Sequence, residues 1–245
     1  MTKYTEENYN TLYENQYFLG FVEDTLRPGG VELTARNFEK ANLPKGAKVL
    51  DLGCGCGKTV KFLRDQMGFE SFGIDKSKGM IMNGLLLDNS MDIQVAEADN
   101  LPFSDNSFDA VVTECVFCLL PDKEKALKEI KRVLKKDGFF IVSDMYLRSP
   151  SMEPVSLNAI TCLQSLMTEA EIRDLITSAG FENQNWDCCH EEYLSFLGQL
   201  IFSFDTVQGF WQCLLGKCED LQDDKQRMKR KKISYYSAIW QVKKD

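Results

Sequence analysis

Four carboxylates, a cluster of glycines and a set of thiols are the residues of this chain that could do chemistry. The densest group is Val49-Leu50-Asp51-Leu52-Gly53-Cys54-Gly55-Cys56-Gly57-Lys58-Thr59. Val49 and Leu50 favour a buried strand, Asp51 closes it, and three alternating glycines turn the chain into a helix. Glycines let a ligand approach the backbone amides at a helix start, where the helix dipole favours negative charge. A second acid, Asp75, ends the next strand in Phe72-Gly73-Ile74-Asp75. Glycines under the ligand and a carboxylate for paired hydroxyls form the pattern of a nucleoside-binding α/β fold. A nicotinamide dinucleotide is the competing ligand, but its loop reads Gly-x-Gly-x-x-Gly. Here the third glycine comes one residue early and an acid opens the loop.

The thiols are the second resource. The chain holds nine cysteines in 245 residues. With an odd count and no short secreted framework, they read as reduced thiols. Cys115 and Cys118 follow a strand that ends in Glu114. Cys54 and Cys56 fit a tight loop as small residues, and neither Cys188-Cys189 nor Cys213 with Cys218 makes a four-ligand zinc pattern. No resident metal is expected. The one histidine, His190, stands outside the glycine-loop region, so the chain is poor in ordinary general bases.

Bulk properties narrow the partners. A formal net charge of −8 disfavours a phosphate backbone as partner. No stretch approaches the roughly 18 apolar residues of a membrane span, and Met1 to Glu7 lacks an apolar signal core. These features predict a soluble, cytoplasmic protein, monomer or homodimer, acting on a small molecule. The run from Lys225 to Lys232 reads as a solvated helix face following Asp220, Asp223 and Asp224.

The elements that position these residues follow from periodicity. Helices are predicted over 5–24 and 31–41, the second stopped by Pro44-Lys45-Gly46. Strands and helices then alternate: a strand from about Lys48, a helix over 59–67, a strand over 71–74, a helix over 77–87 with Ser77 as N-cap, strands over 93–96 and 108–114, an amphipathic helix over 122–136 and a strand over 139–143. Lys136-Asp137-Gly138 is the turn into that last strand. Further on, Thr168 caps a helix to Ala179 with Glu171 completing a capping box. A strand over 183–189, an apolar helical stretch over 193–215 and a closing strand over 233–242 complete the chain. The fold class is α/β: a Rossmann-like, doubly wound parallel sheet. The expected organisation is a single domain over 1–245, with an N-terminal helical cover at 1–44, a core at 45–145 and a helical insertion near the C-terminus at 190–232. The aromatic run there reads as a packed helix or as a lid over a pocket.

Four ordered motifs over residues 45 to 150 resemble the class I S-adenosylmethionine-dependent methyltransferases, of the methyltransferase domain 11, UbiE-like type. They are Asp51 to Gly57; Gly73-Ile74-Asp75-Lys76-Ser77 with Met80; Ala98-Asp99-Asn100-Leu101-Pro102-Phe103; and Phe108 to Val112 with Val133 to Phe139. The resemblance implies a seven-stranded, mostly parallel sheet whose last strand is antiparallel, and S-adenosylmethionine as cofactor. It also implies site roles. Asp51 and the backbone of Gly53, Cys54, Gly55 and Gly57 would hold the methionine end. Asp75, beside Lys76 and Met80, would accept the ribose hydroxyls. Asp99, Asn100 and Leu101 would line the adenine, with Glu114 and Cys115 beside the reacting methyl.

The stretch Glu114-Cys115-Val116-Phe117-Cys118-Leu119-Leu120-Pro121-Asp122-Lys123 partly resembles an element of the arsenite methyltransferases, with Cys115 on that family's thiol and Cys162 on a second one. Two thiolates suit a soft centre, and trivalent arsenic needs no general base. The chain departs from that pattern: no cysteine precedes Cys54, and Glu114 stands where the family has Asn. An uncharacterised small organic acceptor, with Glu114 as a candidate base, is the broader expectation. A cofactor-binding protein without turnover and an RNA methyltransferase are the alternatives.

Overall fold

In the computed structural model, residues 27–150, 165–204 and 232–242 are described, the last five of the middle segment by backbone alone. The expected first helix, Cys162, and most of the 190–232 insertion and the basic run lie outside them. The elements in chain order are α1 (Gly30–Ala41), β1 (Lys48–Leu52), α2 (Lys58–Asp65), β2 (Glu70–Asp75), α3 (Lys78–Leu87), β3 (Asp92–Val95), β4 (Phe108–Glu114), a single 3-10 turn (Phe117–Leu119), α4 (Lys123–Val133), β5 (Leu134–Leu147), α5 (Glu169–Ser178), β6 (Phe181–Cys188), α6 (His190–Phe204) and β7 (Ile233–Val242).

The seven strands form one sheet in the order β3-β2-β1-β4-β5-β7-β6. β1 pairs in parallel with β2 and β4, and β2 with β3 and β4 with β5 likewise. β7 enters antiparallel between β5 and β6. Strand order reverses at β1 and β4, so a crevice opens at their carboxyl ends, the usual ligand site of an open α/β sheet. Because β7 runs the other way, its first residues, Ile233 to Tyr236, are delivered to that same edge.

Local chemistry explains several boundaries. Ser77 Oγ accepts the Met80 amide and starts α3, and Asp122 caps α4 by accepting the Lys125 amide. Thr168 and Glu171 form the expected capping box on α5. The bounds of β4 and β7 match those expected from the sequence, and both strands are buried on both faces. β5 differs: it begins at Leu134, five residues before the expected strand. Leu134 pairs with Phe108 and the next partners are Phe139 and Ala110, so the Lys136-Asp137-Gly138 turn survives as an irregularity inside the strand. Asp137 takes φ of 60° there.

The sheet is buried on both faces. On one, Leu50, Leu52, Val111, Phe140, Tyr236 and Trp240 pack with α4 and α5. On the other, Phe38 and Ala41 of α1 pack with Val49, Ile141 and Ile239. α1 is also pinned by a buried polar link. Asn37, 1 % exposed, donates to Ser143 Oγ of β5 at 3.2 Å and accepts from Ser237 Oγ of β7 at 2.7 Å. These bonds fix where the start of α1 meets the carboxyl edge. Asn37→Ala strands two buried hydroxyls, and a loss of about 2–3 kcal/mol in urea unfolding is expected at an unchanged slope. A change below about 0.5 kcal/mol would show that α1 is held by packing alone.

Candidate functional site

The glycine loop is built by left-handed backbone. Gly53, Gly55 and Gly57 have φ of 84°, 54° and 80°, conformations costly for any residue with a Cβ. Space forbids a side chain at Gly53 as well, since a Cβ there would lie 2.4 Å from Val116. Val116 belongs to the turn after β4, so that turn rests directly on the loop. Met80 packs beneath, its Cε 3.2 Å from where a Gly55 Cβ would stand.

Asp75 has a second task invisible in the sequence. Its Oδ2 accepts the Gly55 amide at 2.9 Å and its Oδ1 accepts the Ser77 amide at 2.8 Å. One carboxylate thereby fixes the loop and the start of α3. An ionised carboxylate offers about four acceptor positions, so one side chain can serve several donors at once. Asp51 at the end of β1 is 3 % exposed. Burial, then the nearby Glu114 charge, holds its carboxyl well above the usual carboxylate range, with Arg27 acting in the opposite direction.

The 98–103 segment is stabilised from α4. Glu129 accepts the Leu101 amide at 2.8 Å, Arg132 reaches the carbonyls of Leu101 and Phe103, and Lys125 pairs with Asp99 at 2.9 Å. The Asn100 amide donates to the Glu97 carbonyl. Both amides of Asn100 and Leu101 are therefore committed within the protein, while the Asp99 carboxylate, paired with Lys125, stands at the surface.

Glu114 ends β4 as the hub of a network that sequence reasoning missed. Arg27 Nη2 lies 2.8 Å from its Oε2, and the two side chains are 11 % and 4 % exposed. Thr34 of α1 donates to Oε1 at 2.7 Å and Thr59 of α2 to Oε2 at 2.9 Å. Arg27 in turn donates to Thr34 and Thr59. Both carboxylate oxygens thus carry donors. In the sequence Arg27 opens Arg27-Pro28-Gly29-Gly30, a local turn signal, and no local spacing links it to Glu114.

Cys115 follows at φ of 57°, a conformation rare for a non-glycine residue and frequent at functional sites. Its amide is held by the Ser143 carbonyl, and its thiol faces the Tyr235 hydroxyl at 3.4 Å. Tyr235 is fully buried and its hydroxyl is pushed up by burial, so it stays neutral. Around them lies an apolar cluster of Leu33, Met145, Leu147, Cys189 and Ile233, joined by Leu166 and Tyr193. His190 is turned to Ser234 Oγ at 2.9 Å and stacks on Tyr193.

The turn carrying Cys115 is fastened by Asp144 of β5. Its Oδ2 accepts the Cys118 amide at 2.8 Å, and Lys123 ties the Cys118 and Leu120 carbonyls. Burial pushes the Asp144 carboxyl from 3.8 up to about 6. A raised acid pKa favours the folded state fully below about 4, and that contribution disappears as pH rises through about 6. Wild type should therefore lose up to about 3 kcal/mol relative to Asp144→Asn between pH 4 and 7. Parallel unfolding curves across that range would exclude a buried, titrating Asp144.

A family model described as "Methyltransferase domain" matches residues 50–142, the stretch from β1 into β5. Phosphoethanolamine N-methyltransferase 1 of Arabidopsis thaliana is 34 % identical over 228 residues, covering 84 % of this chain and 45 % of that protein. An arsenite methyltransferase of Halobacterium salinarum is 28 % identical over 154 residues, covering 58 % of this chain and 39 % of its own length. The chain thus spans less than half of either relative. Among solved structures, phosphoethanolamine N-methyltransferase 2 of Haemonchus contortus, in complex with S-adenosyl-L-methionine, superposes with a TM-score of 0.74. It is 18 % identical and covers 99 % of this chain and 58 % of its own, a likeness that speaks for the fold.

Proposed function

The chain belongs to the class I S-adenosylmethionine-dependent methyltransferases, and from that premise we propose that it methylates a small, soft nucleophile bound beside Cys115. The observation that carries the acceptor class is the state of Glu114. Both of its oxygens hold donors from Arg27, Thr34 and Thr59, so the carboxylate nearest the reacting edge is poorly suited to take a proton from an acceptor. His190 is likewise engaged with Ser234. An acceptor that brings its own lone pair needs neither group. Trivalent arsenic, held by Cys115 and Cys162, meets that requirement; Cys162 lies outside the described residues.

The protein features fit the cofactor. S-adenosylmethionine supplies an electrophilic methyl group on a sulfonium. The backbone of Gly53, Cys54, Gly55 and Gly57 allows close approach, Asp51 is a carboxylate buried at the end of β1, and Asp75, at the end of β2 beside the loop, is the acid that would meet a ribose. Lys76 and Met80 flank that carboxylate and the loop, and Asp99 stands ready for an exocyclic amino group, with Asn100 and Leu101 shaping its segment. Cys115, with its thiol directed by Tyr235, would orient the acceptor, and the apolar cluster behind it would exclude water. In-line transfer depends chiefly on such positioning.

Transfer of labelled methyl from S-adenosylmethionine to trivalent arsenic, in excess small thiol, tests the reading. Turnover is expected in the wild type, with a fall of roughly a hundredfold in Cys115→Ser and in Cys162→Ser at unchanged cofactor affinity. Wild-type turnover on phosphoethanolamine but not on arsenic would redirect the acceptor assignment to phosphobases. Cofactor binding without transfer to any acceptor would favour a binding protein.

A further inference from the structure

Two thiols stand side by side where β6 meets α6, and their surroundings are opposite. Cys189 is 2 % exposed. It packs with Met145, Leu147 and Tyr235, and its thiol donates to the Asp187 carbonyl at 3.8 Å. Burial, then the Glu192 charge, pushes it up to about 12, with Arg36 acting the other way. A thiol held in this way is a poor nucleophile. Cys188 is exposed, and its contacts lie on the other face of the sheet.

Two hydroxyls from two strands meet at the Cys188 sulfur, with a base behind one of them. The Tyr146 hydroxyl of β5 donates to Cys188 Sγ at 3.3 Å. Ser234 Oγ of β7 lies 3.9 Å from the same sulfur and 2.9 Å from His190 Nδ1. Strand register sets this arrangement, because Ser234 is the partner of Tyr146 across β5 and β7. Ser234 is fully buried, so bulk water does not compete for its hydroxyl, and stacking on Tyr193 orients the His190 ring. The Tyr193 amide bonds the Cys189 carbonyl in the first turn of α6, so the positive end of that helix dipole lies beside Cys188. Of the acids around it, Glu192 is paired with Arg36 and Asp187 with Lys40, and Glu191 is exposed.

A sulfur with a base one hydroxyl away and a donor aimed at it is arranged as an activated nucleophile. We propose that Cys188 is a thiol–disulfide exchange site that takes one half of a small-molecule disulfide, with His190 acting as its base through Ser234. The Cys188 proton passes to Ser234 Oγ while the Ser234 proton passes to His190 Nδ1, in the tautomer whose Nδ1 accepts. The sulfur attacks one sulfur of the disulfide and the S–S bond breaks. The departing thiolate recovers the proton from His190. Cys188 is thereby oxidised to a mixed disulfide, and the small disulfide is reduced to one thiol. β5 and β6 both run antiparallel to β7, so β6 ends on the carboxyl edge. The adduct would stand on that edge, on the face away from the apolar cluster around Cys115, and the site is independent of the acceptor assignment.

The test treats the folded chain with glutathione disulfide and follows the adduct at each cysteine by peptide mass spectrometry, fragmentation separating Cys188 from Cys189. In the wild type Cys188 should react and Cys189 should not. Ser234→Ala, and His190→Phe, which keeps a ring against Tyr193, should each slow Cys188 about a hundredfold, the lower end of what a positioned base contributes. Tyr146→Phe should slow it about fivefold, the effect of one hydrogen bond. In guanidinium chloride all four proteins should react alike; a difference that persists there would come from local sequence and would overturn the relay. No adduct at Cys188 in the native wild type, or unchanged rates in Ser234→Ala and His190→Phe, would overturn the proposal. Adducts appearing at Cys189 in those variants would show loosened strand ends and make Ser234 and His190 structural only.

Discussion

A buried carboxylate must be neutralised where it stands, and at the carboxyl edge of this sheet that carboxylate is Glu114. Its ion pair with Arg27 and its bonds from Thr34 and Thr59 draw three separate pieces of chain to the end of β4: the segment before α1, α1 itself and the first turn of α2. Breaking one side of such a pair leaves an uncompensated charge, a far larger penalty than the net worth of the intact pair. The arrangement is thus better understood as a positional constraint than as a source of stability. It sets the wall of the crevice on which the glycine loop opens.

From that constraint the rest of the edge follows. Asp75 binds the Gly55 amide across the crevice, and Val116 sits on Gly53. The loop is therefore gripped by β2 on one side and by the β4 turn on the other. Asp144 fastens the same turn through Cys118, so the left-handed backbone at Cys115 is held by bonds on both sides of it. β7 contributes because it runs antiparallel: its beginning, and with it Tyr235, arrives where the parallel strands end. Asn37 links β5, β7 and α1 in one buried contact, which couples the Cys115 side of the edge to the Arg27 side.

Much of this was legible in the sequence where information is local. Continuous runs of apolar and β-favouring residues mark β4 and β7 with their observed limits, and Thr168 with Glu171 announces α5 because a capping box is a four-residue signal. The parallel order and antiparallel last strand came from the ordered motifs. What stayed hidden was set by tertiary contact. The early start of β5 depends on Leu134 finding Phe108 across a strand pair. Arg27 reads as turn punctuation before Pro28 and Gly29, and only the fold brings it to Glu114. Glu114 itself looked like a candidate base, since a sequence shows a carboxylate but not the donors that occupy it. Asp75 is legible in the sequence as an acid that closes a strand, but its hold on the Gly55 amide is not.

The two halves of the site divide along chemical hardness. On the glycine-loop side the groups are charged and directional: Asp51, Asp75, Glu114 and Arg27, with backbone amides between them. On the other side of Cys115 the surroundings are apolar and sulfur-bearing, with Leu33, Met145, Leu147 and Cys189 around a neutral tyrosine. A charged nucleoside cofactor would be better matched by the first environment. A hard, strongly hydrated acceptor would be poorly matched by the second, because stripping its water there returns few hydrogen bonds. A polarisable acceptor loses little on entering and meets a thiol at the boundary. In the proposed transfer the methyl group would pass across that boundary, and the same step in polarity would keep bulk water from competing as the nucleophile.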